Sequence, residues 1–443
     1  MFSGHCFASE AVVEKEDSQD KQPEWIRLVF KRDNWSAHFQ ATYVWQEHPG
    51  FPAAYDGPHS LASHKETGYT LTSTLFLGHR LWKGAEIFAN PEIIQSIEFS
   101  DLHGLGGLTN GENQKTGGPT VSIYSARAFL RQTIGLGGKS LPVEDGPNQF
   151  GGEVQSRRFV LTVGQMALTD IFDNNSFAHD SRTQFFNWAL LAYGASDYAA
   201  DARGYTVGAA LEYYHDNWVF RFGHFAQPKE SNGLALDYRL WVHFGDNLEV
   251  EHNHAVWGHA GKLRAMGFLN YANMGGFRDA LNNASGSGGT PDVATVRRDR
   301  AKLGFGISLE QNVTTDLGCF GRFSRNDGRT ETFAFAEIDQ SLTLGCVMKG
   351  KPWYRPNDTL GLAFVQNGLS AAHRDYLSTG GLGNFIGDGR INYVPERILD
   401  TYYSFRAFKG VWLSAGFQHI WNPAYNADRG PVRVVSARVH FEY

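Results

Sequence analysis

The chain has 443 residues with 50 glycines, 14% aromatic and 19% charged residues, a mean hydropathy of -0.36 and a net charge of -6. No run approaches the ~18 uncharged apolar residues of a membrane helix; this excludes a helical inner-membrane protein but not a barrel, whose strands are only half apolar. The acidic balance argues against nucleic acid, which selects a basic stripe, and the length suits two or three soluble domains or one large barrel.

Met1 to Val13 lacks the basic start and apolar core of a signal peptide, and Glu14 to Glu24 is charged and contains proline. Residues 1–34 are therefore read as a lead-in, either a remnant of a signal region or a flexible periplasmic segment, and 35–443 as the folded part. From Trp35 the chain alternates. Trp35, Ala37, Phe39, Ala41, Tyr43 and Trp45 share one face of a strand, and Ser36, His38, Gln40, Thr42 and Gln46 the other. Aromatics at both ends with small residues between them match a lipid-facing band bounded by interfacial girdles.

The form repeats at Tyr69–Leu77, Tyr124–Ile134, Phe159–Gln165, Tyr205–Tyr213, Trp218–Phe225, Leu236–Phe244 and Gly261–Tyr271. It continues at Ala301–Leu309, Leu317–Phe323, Leu342–Met348, Leu360–Phe364, Leu399–Phe405 and Val411–Phe417. Ala85–Asn90 and Leu248–His252 are shorter and ambiguous. The chain ends on Val435, Ala437, Val439, Phe441 and Tyr443 on one face, with Ser436, Arg438, His440 and Glu442 on the other. Taken alone, this last run also suits the edge strand of a soluble sandwich; repeated along the chain, it reads as the strand that closes a barrel against the first. The expected fold is an all-β, transmembrane antiparallel barrel of 16 strands, with 18 the alternative, because single-chain barrels have even strand numbers.

Short turns are read at His215-Asp216-Asn217, Gly245-Asp246-Asn247 and Phe408-Lys409-Gly410, and long loops at Asn283–Pro291 and Ser370–Asn392. Three cysteines make no metal or disulfide framework, and Cys319 and Cys346 are read as small hydrophobes on apolar strand faces. In Ser122–Ile134 the alternation sets Arg127, Phe129 and Arg131 against Tyr124, Ala126, Ala128 and Leu130. Arg127 and Arg131 would start a basic ladder in the pore. Arg221, Arg239, Trp241, Lys262, Arg264, Arg322 and Arg406 fall on inward faces, opposed by Glu86, Glu212, Asp237, Glu249 and Glu310. Guanidinium and carboxylate groups suit hydroxyl-rich sugars, although each charge has the plainer role of pairing with a neighbour to keep the lumen hydrated. The connection Ala167–Arg203 carries Asp170, Asp173, Asn175, Asp180, Asp197 and Asp201, which make it a better metal candidate by ligand type than the histidines. With its aromatics it reads rather as a packed constriction loop folded into the lumen, with Asp173, Asn175, Asp180 and Arg182 as its candidates.

Several stretches then point to a family. They are Tyr55-Asp56-Gly57-Pro58-His59-Ser60-Leu61, Leu81-Trp82-Lys83-Gly84-Ala85-Glu86 running to Asn90-Pro91-Glu92, Asn110-Gly111-Glu112 with Lys115 and Pro119, then Arg127, Phe129, Arg131 and Gln132, and Gln184-Phe185-Phe186-Asn187-Trp188-Ala189. Tyr393-Val394-Pro395-Glu396 and Asn422-Pro423-Ala424-Tyr425-Asn426-Ala427-Asp428-Arg429-Gly430-Pro431 complete the set. In this order the chain resembles the carbohydrate-selective porins of the OprB type from about Trp35 to Tyr443. The resemblance implies a channel in the outer membrane of a Gram-negative cell, narrowed by inward-folded loops and favouring sugars such as glucose. It implies pore roles near Asn110-Gly111-Glu112 and Arg127–Arg131. The pore-lining candidates are thus Glu112, Lys115, Arg127, Phe129, Arg131, Arg239, Trp241 and Arg264.

Similar sequences include porins proposed to pass manganese(II), which keeps that solute as an alternative. His252 and His254 share one strand face while Glu249 and Glu251 take the other, so they do not converge locally, and no metal site is assigned. No Gly-x-Ser-x-Gly elbow or helix-linked glycine loop occurs, so neither an enzyme nor a cofactor is expected. A receptor or adhesin barrel without an open pore is the alternative of another class. Expected partners are sugars, outer-membrane lipid and the barrel-assembly machinery acting on the C-terminal strand; a homotrimer is left open. Arg438, His440 and Glu442 are expected at the periplasmic mouth, below the constriction.

Overall fold

A computed structural model describes residues 34–113, 118–334 and 337–443. Among them lie sixteen strands: β1 (Trp35–His48), β2 (Glu66–Trp82), β3 (Ala85–Ile97), β4 (Ser122–Val143), β5 (Gly152–Met166), β6 (Thr206–His215), β7 (Trp218–Ala226) and β8 (Phe244–Val256). The rest are β9 (His259–Met274), β10 (Arg298–Asn312), β11 (Leu317–Asn326), β12 (Gln340–Lys349), β13 (Thr359–Gly368), β14 (Glu396–Phe408), β15 (Val411–Trp421) and β16 (Val432–Glu442). Each pairs antiparallel with its sequence neighbours, and β16 closes on β1 from Gln40↔Glu442 to Glu47↔Val435. The barrel has no free edge. Apart from Asn34, the proposed lead-in lies outside the described residues.

The polarity is inverted relative to a water-soluble protein. On β10, Leu303, Phe305, Ile307 and Leu309 point outward at 45–56% exposure, whereas Lys302, Ser308 and Glu310 point inward and are buried. On β2, Thr70, Thr72 and Thr74 are buried inside. A continuous exposed apolar belt around a polar interior is stable only when lipid covers the belt. The connections are asymmetric too: 83–84, 216–217, 257–258, 313–316 and 409–410 on one rim, against 98–121, 167–205, 275–297 and 369–395 on the other.

Four local expectations are corrected. Leu236–Phe244 is not a strand. The Asp237 carboxylate accepts hydrogen bonds from the Arg239 backbone and guanidinium and from His243, and this local pairing competes with a ladder. Gly245-Asp246-Asn247 is not a turn but part of β8, because β7 and β9 pair with it on both sides. Ala85–Asn90 underestimates β3, which continues through Pro91 to Ile97. Cys319 and Cys346 are not two small hydrophobes but a disulfide, formed where β11 and β12 place them directly opposite at a Cα–Cα distance of 4.0 Å.

The long loops fold into the interior through residues 98–113 and 167–205. Wall glycines make the room. A Cβ at Gly318 would overlap the Phe177 ring, and one at Gly416 the Phe186 ring. On the long-loop rim, two helices, α1 (Phe277–Ser287) and α2 (Ala371–Ser378), form a cap in which Phe277 stacks on His373 with ring centroids 4.2 Å apart.

Candidate functional site in the lumen

Pro91 sets the geometry of one wall. Proline has no N–H for the ladder, and the pairing shifts there: Asn90 faces Arg127 while Pro91 faces Ser125, leaving Ala126 as a bulge. The bulge resets the alternation, so Tyr124 and Arg127 both reach inward instead of lying on opposite faces as the sequence suggests. Tyr124 donates to Glu92 at 2.5 Å, and Tyr205, at the end of the 167–205 loop, donates to the same carboxylate at 3.1 Å. The Arg127 guanidinium makes two parallel bonds of 2.7 Å to Asp170 and lies 5.3 Å from the Tyr205 ring centroid.

Arg182 joins this wall to the loops. It donates to Glu112 at 2.8 Å, to Thr74 at 3.0 Å and to Glu92 at 3.0 Å. Burial opposes its charge, but Glu112 and Glu92 outweigh that and raise its pKa well above the ordinary value. Glu112 also accepts from Thr72 and Ser181. Asp180 turns back on its own loop, accepting from the Arg182 N–H at 2.9 Å and the Thr183 hydroxyl at 3.0 Å. Nearer the short-turn rim, Arg131 donates to the Asn148 carbonyl at 2.8 Å and stands over Phe129 and Phe88.

The opposite wall is closed on itself. Arg221 is shared by Glu212, Glu249 and Glu251, and Arg264 by Glu251 and Glu310. Arg322 pairs with Asp173 at 3.1 Å and also donates to the carbonyls of Leu190 and Ala178. Asn175 caps the next turn, accepting from the N–H groups of Phe177 and Ala178. Asp173 and Asn175 therefore tie the loop down, whereas Arg182 faces the Glu92 wall.

Of the remaining candidates, Lys115 lies outside the described residues. Arg239 and Trp241 do not line the lumen, since the strand that would have turned them inward is absent. Trp241 is 87% exposed and stacks on His224, an outward residue of β7. Arg438 is not below the constriction. It is fully buried, donates to the Ser181 and Gln184 carbonyls at 2.6 and 2.8 Å, and packs on the Phe186 ring. The closing strand thus holds the loop.

Glu92, Asp170, Tyr124 and Tyr205 were not among the pore-lining candidates read from the sequence, where Glu92 stood only in a family stretch and Asp170 only among the acidic residues of the loop. The inward threonines of β2 were the available signal, because they face across to β3, but Pro91 hid the strand that carries Glu92.

The family model for the carbohydrate-selective porin OprB family matches residues 59–443. The chain belongs to that family. OprB of Pseudomonas putida in its high-pH structure superposes with a TM-score of 0.70 at 15% identity, covering 95% of this chain and 96% of that one. The outer membrane channel DcaP of Acinetobacter baumannii gives a TM-score of 0.50 at 8% identity, covering 94% and 99%. At these identities the likeness concerns the fold alone. No curated protein matches the chain significantly. This OprB-family barrel is an outer-membrane porin for passive diffusion of carbohydrates, and its long-loop rim is accordingly extracellular and its short-turn rim periplasmic.

Proposed function

We propose that the porin selects monosaccharides of the glucose type at a girdle formed by Arg127, Asp170, Tyr205, Glu92, Arg182 and Glu112. The observation that carries this reading is the Arg127–Asp170 pair, which keeps 16% and 28% side-chain exposure while Arg221, Arg264 and Arg322 of the opposite wall keep 8% or less. A planar guanidinium and a carboxylate edge offer donors and acceptors to vicinal hydroxyls, and the buried Tyr205 ring beneath the guanidinium supports it. Weak binding at such a girdle favours entry without trapping the solute, and diffusion down a gradient needs no catalytic group.

The manganese alternative has no such support. Among the described residues no group of three or more His, Cys, Asp and Glu side chains could hold a metal ion. His252 packs on the outward Trp218 at a centroid distance of 4.4 Å, away from the lumen.

The test is glucose block of ion current in planar bilayers. Arg127→Ala should weaken block about tenfold, a loss of about 1.4 kcal/mol. Unchanged block with unchanged conductance would remove Arg127 from the site. The same recording separates a receptor barrel, which would show no stable open channel, and manganese uptake measured beside liposome swelling in glucose separates the metal reading.

A further inference from the structure

Below the constriction loop, on the periplasmic side, lies a cavity of about 290 Å³. Thr183 and Gln184 roof it from the loop, and Lys349, Tyr402, Trp412 and Glu442 wall it from β12, β14, β15 and β16. Its volume is near the lower bound of small-ligand sites, about 300 Å³, which suits a single sugar ring rather than an oligosaccharide.

Two features mark it as a built site. Trp412 points inward, in phase with the buried Ser414 and Gln418 of β15. Interfacial aromatics anchor a barrel by pointing outward into lipid, so anchoring does not account for a tryptophan in the lumen. The Trp412 ring is flanked by the Arg406 guanidinium at 5.7 Å and the His440 ring at 5.9 Å. Next to it, Glu442 is held by His440 Nε2 at 2.9 Å, and His440 Nδ1 is hydrogen-bonded with the Thr42 hydroxyl at 2.7 Å. The relay fixes the carboxylate beside the indole.

We propose that this vestibule is a second carbohydrate subsite, in which one pyranose stacks on Trp412 and meets Glu442, Lys349 and Gln184 through its hydroxyls. The inference rests on the sugar-porin reading and extends it. An indole covers the C–H face of a pyranose while the ring's equatorial hydroxyls stay free for polar partners at the rim. Because Arg182 lines the vestibule and also bonds Glu92 and Glu112, the two subsites share one residue and lie in series. Two weak sites in series speed transit by letting solute step between them.

The experiment is single-channel recording with glucose added to one side at a time, on the wild type, Trp412→Ala and Trp412→Phe. Wild type should be blocked from both sides. Trp412→Ala should weaken periplasmic-side block about tenfold and extracellular-side block less than twofold, and Trp412→Phe should restore most of it. Equal weakening from both sides, or no weakening from either, would overturn the subsite. Wild-type block from the periplasmic side alone would overturn the girdle and leave the vestibule standing; block from neither side would overturn both.

Discussion

The two walls of the lumen carry similar residues and use them differently. On the β7–β11 wall, Arg264 with Glu310 and Arg322 with Asp173 are at 1–3% side-chain exposure, each cation meeting more than one oxygen. On the β2–β4 wall, Arg127 and Asp170 pair as tightly but stay partly open. A charge on an inward strand face is therefore not by itself a solute contact. Whether a loop covers it decides. The 167–205 loop lies against the first wall through Asp173, Ser176 and Asn175, and its Arg182 crosses to the second.

The sharpest way to break this contrast is Arg322→Ala. It leaves Asp173 buried without its cation, a change of about 3–5 kcal/mol. The loop should undock, with conductance rising several-fold and protease cutting within 167–205. A wild-type conductance would show that the charged wall does not hold the loop.

Next in size is Gly318→Val, which displaces Phe177 by overpacking worth about 1–3 kcal/mol. It should raise conductance less than the arginine variant and keep extracellular-side glucose block, because the girdle is untouched, while periplasmic-side block weakens, because Phe177 and Gly318 line the vestibule. On the open wall, Asp170→Asn keeps a hydrogen bond to Arg127 but loses the charge. Glucose block should shift about three- to fivefold, on the order of 1 kcal/mol, with no change in loop protection. Loss of loop protection in that variant would make the two walls alike.

A smaller effect concerns the extracellular cap. Burial works to raise the Asp339 pKa, but His373 and Lys302 outweigh it and hold it below the ordinary 3.8. A carboxyl with a lowered folded pKa adds stability above its unfolded value and loses it as pH falls through the folded one. Hydrogen exchange at α2 should therefore stay slow above pH 3.8 and quicken below it, and Asp339→Asn should flatten that dependence. The smallest effect is expected from Arg239→Ala with Trp241→Ala. Both lie outside the lumen, so glucose block should change by less than about 1.5-fold, within the roughly ±0.5 kcal/mol of surface substitutions.

The strands were legible because alternation is a local property. Trp35–Trp45, Trp218–Phe225 and the final run each show their lipid face without reference to any other segment, and even the two ambiguous runs, Ala85–Asn90 and Leu248–His252, belong to full strands. The same signal misled at Leu236–Phe244, where Asp237 bonds its own neighbours, and at Tyr124, where a bulge opposite Pro91 reverses the face. Alternation fixes sides only while pairing is regular. The disulfide was missed for a related reason: strand register, not cysteine count, brings Cys319 opposite Cys346.

By itself, then, the sequence determined the barrel, its membrane and, through the ordered motifs, its family. These rest on period-two patterning and short runs, which need no knowledge of distant residues. Only the tertiary structure decided which inward charges are consumed. Arg182 meets Glu92 across 90 residues, and Arg438 meets Ser181 across 257. Such pairs depend on how a loop enters the lumen, and that is set by glycine seats, bulges and buried ion pairs contributed by strands far apart in the chain.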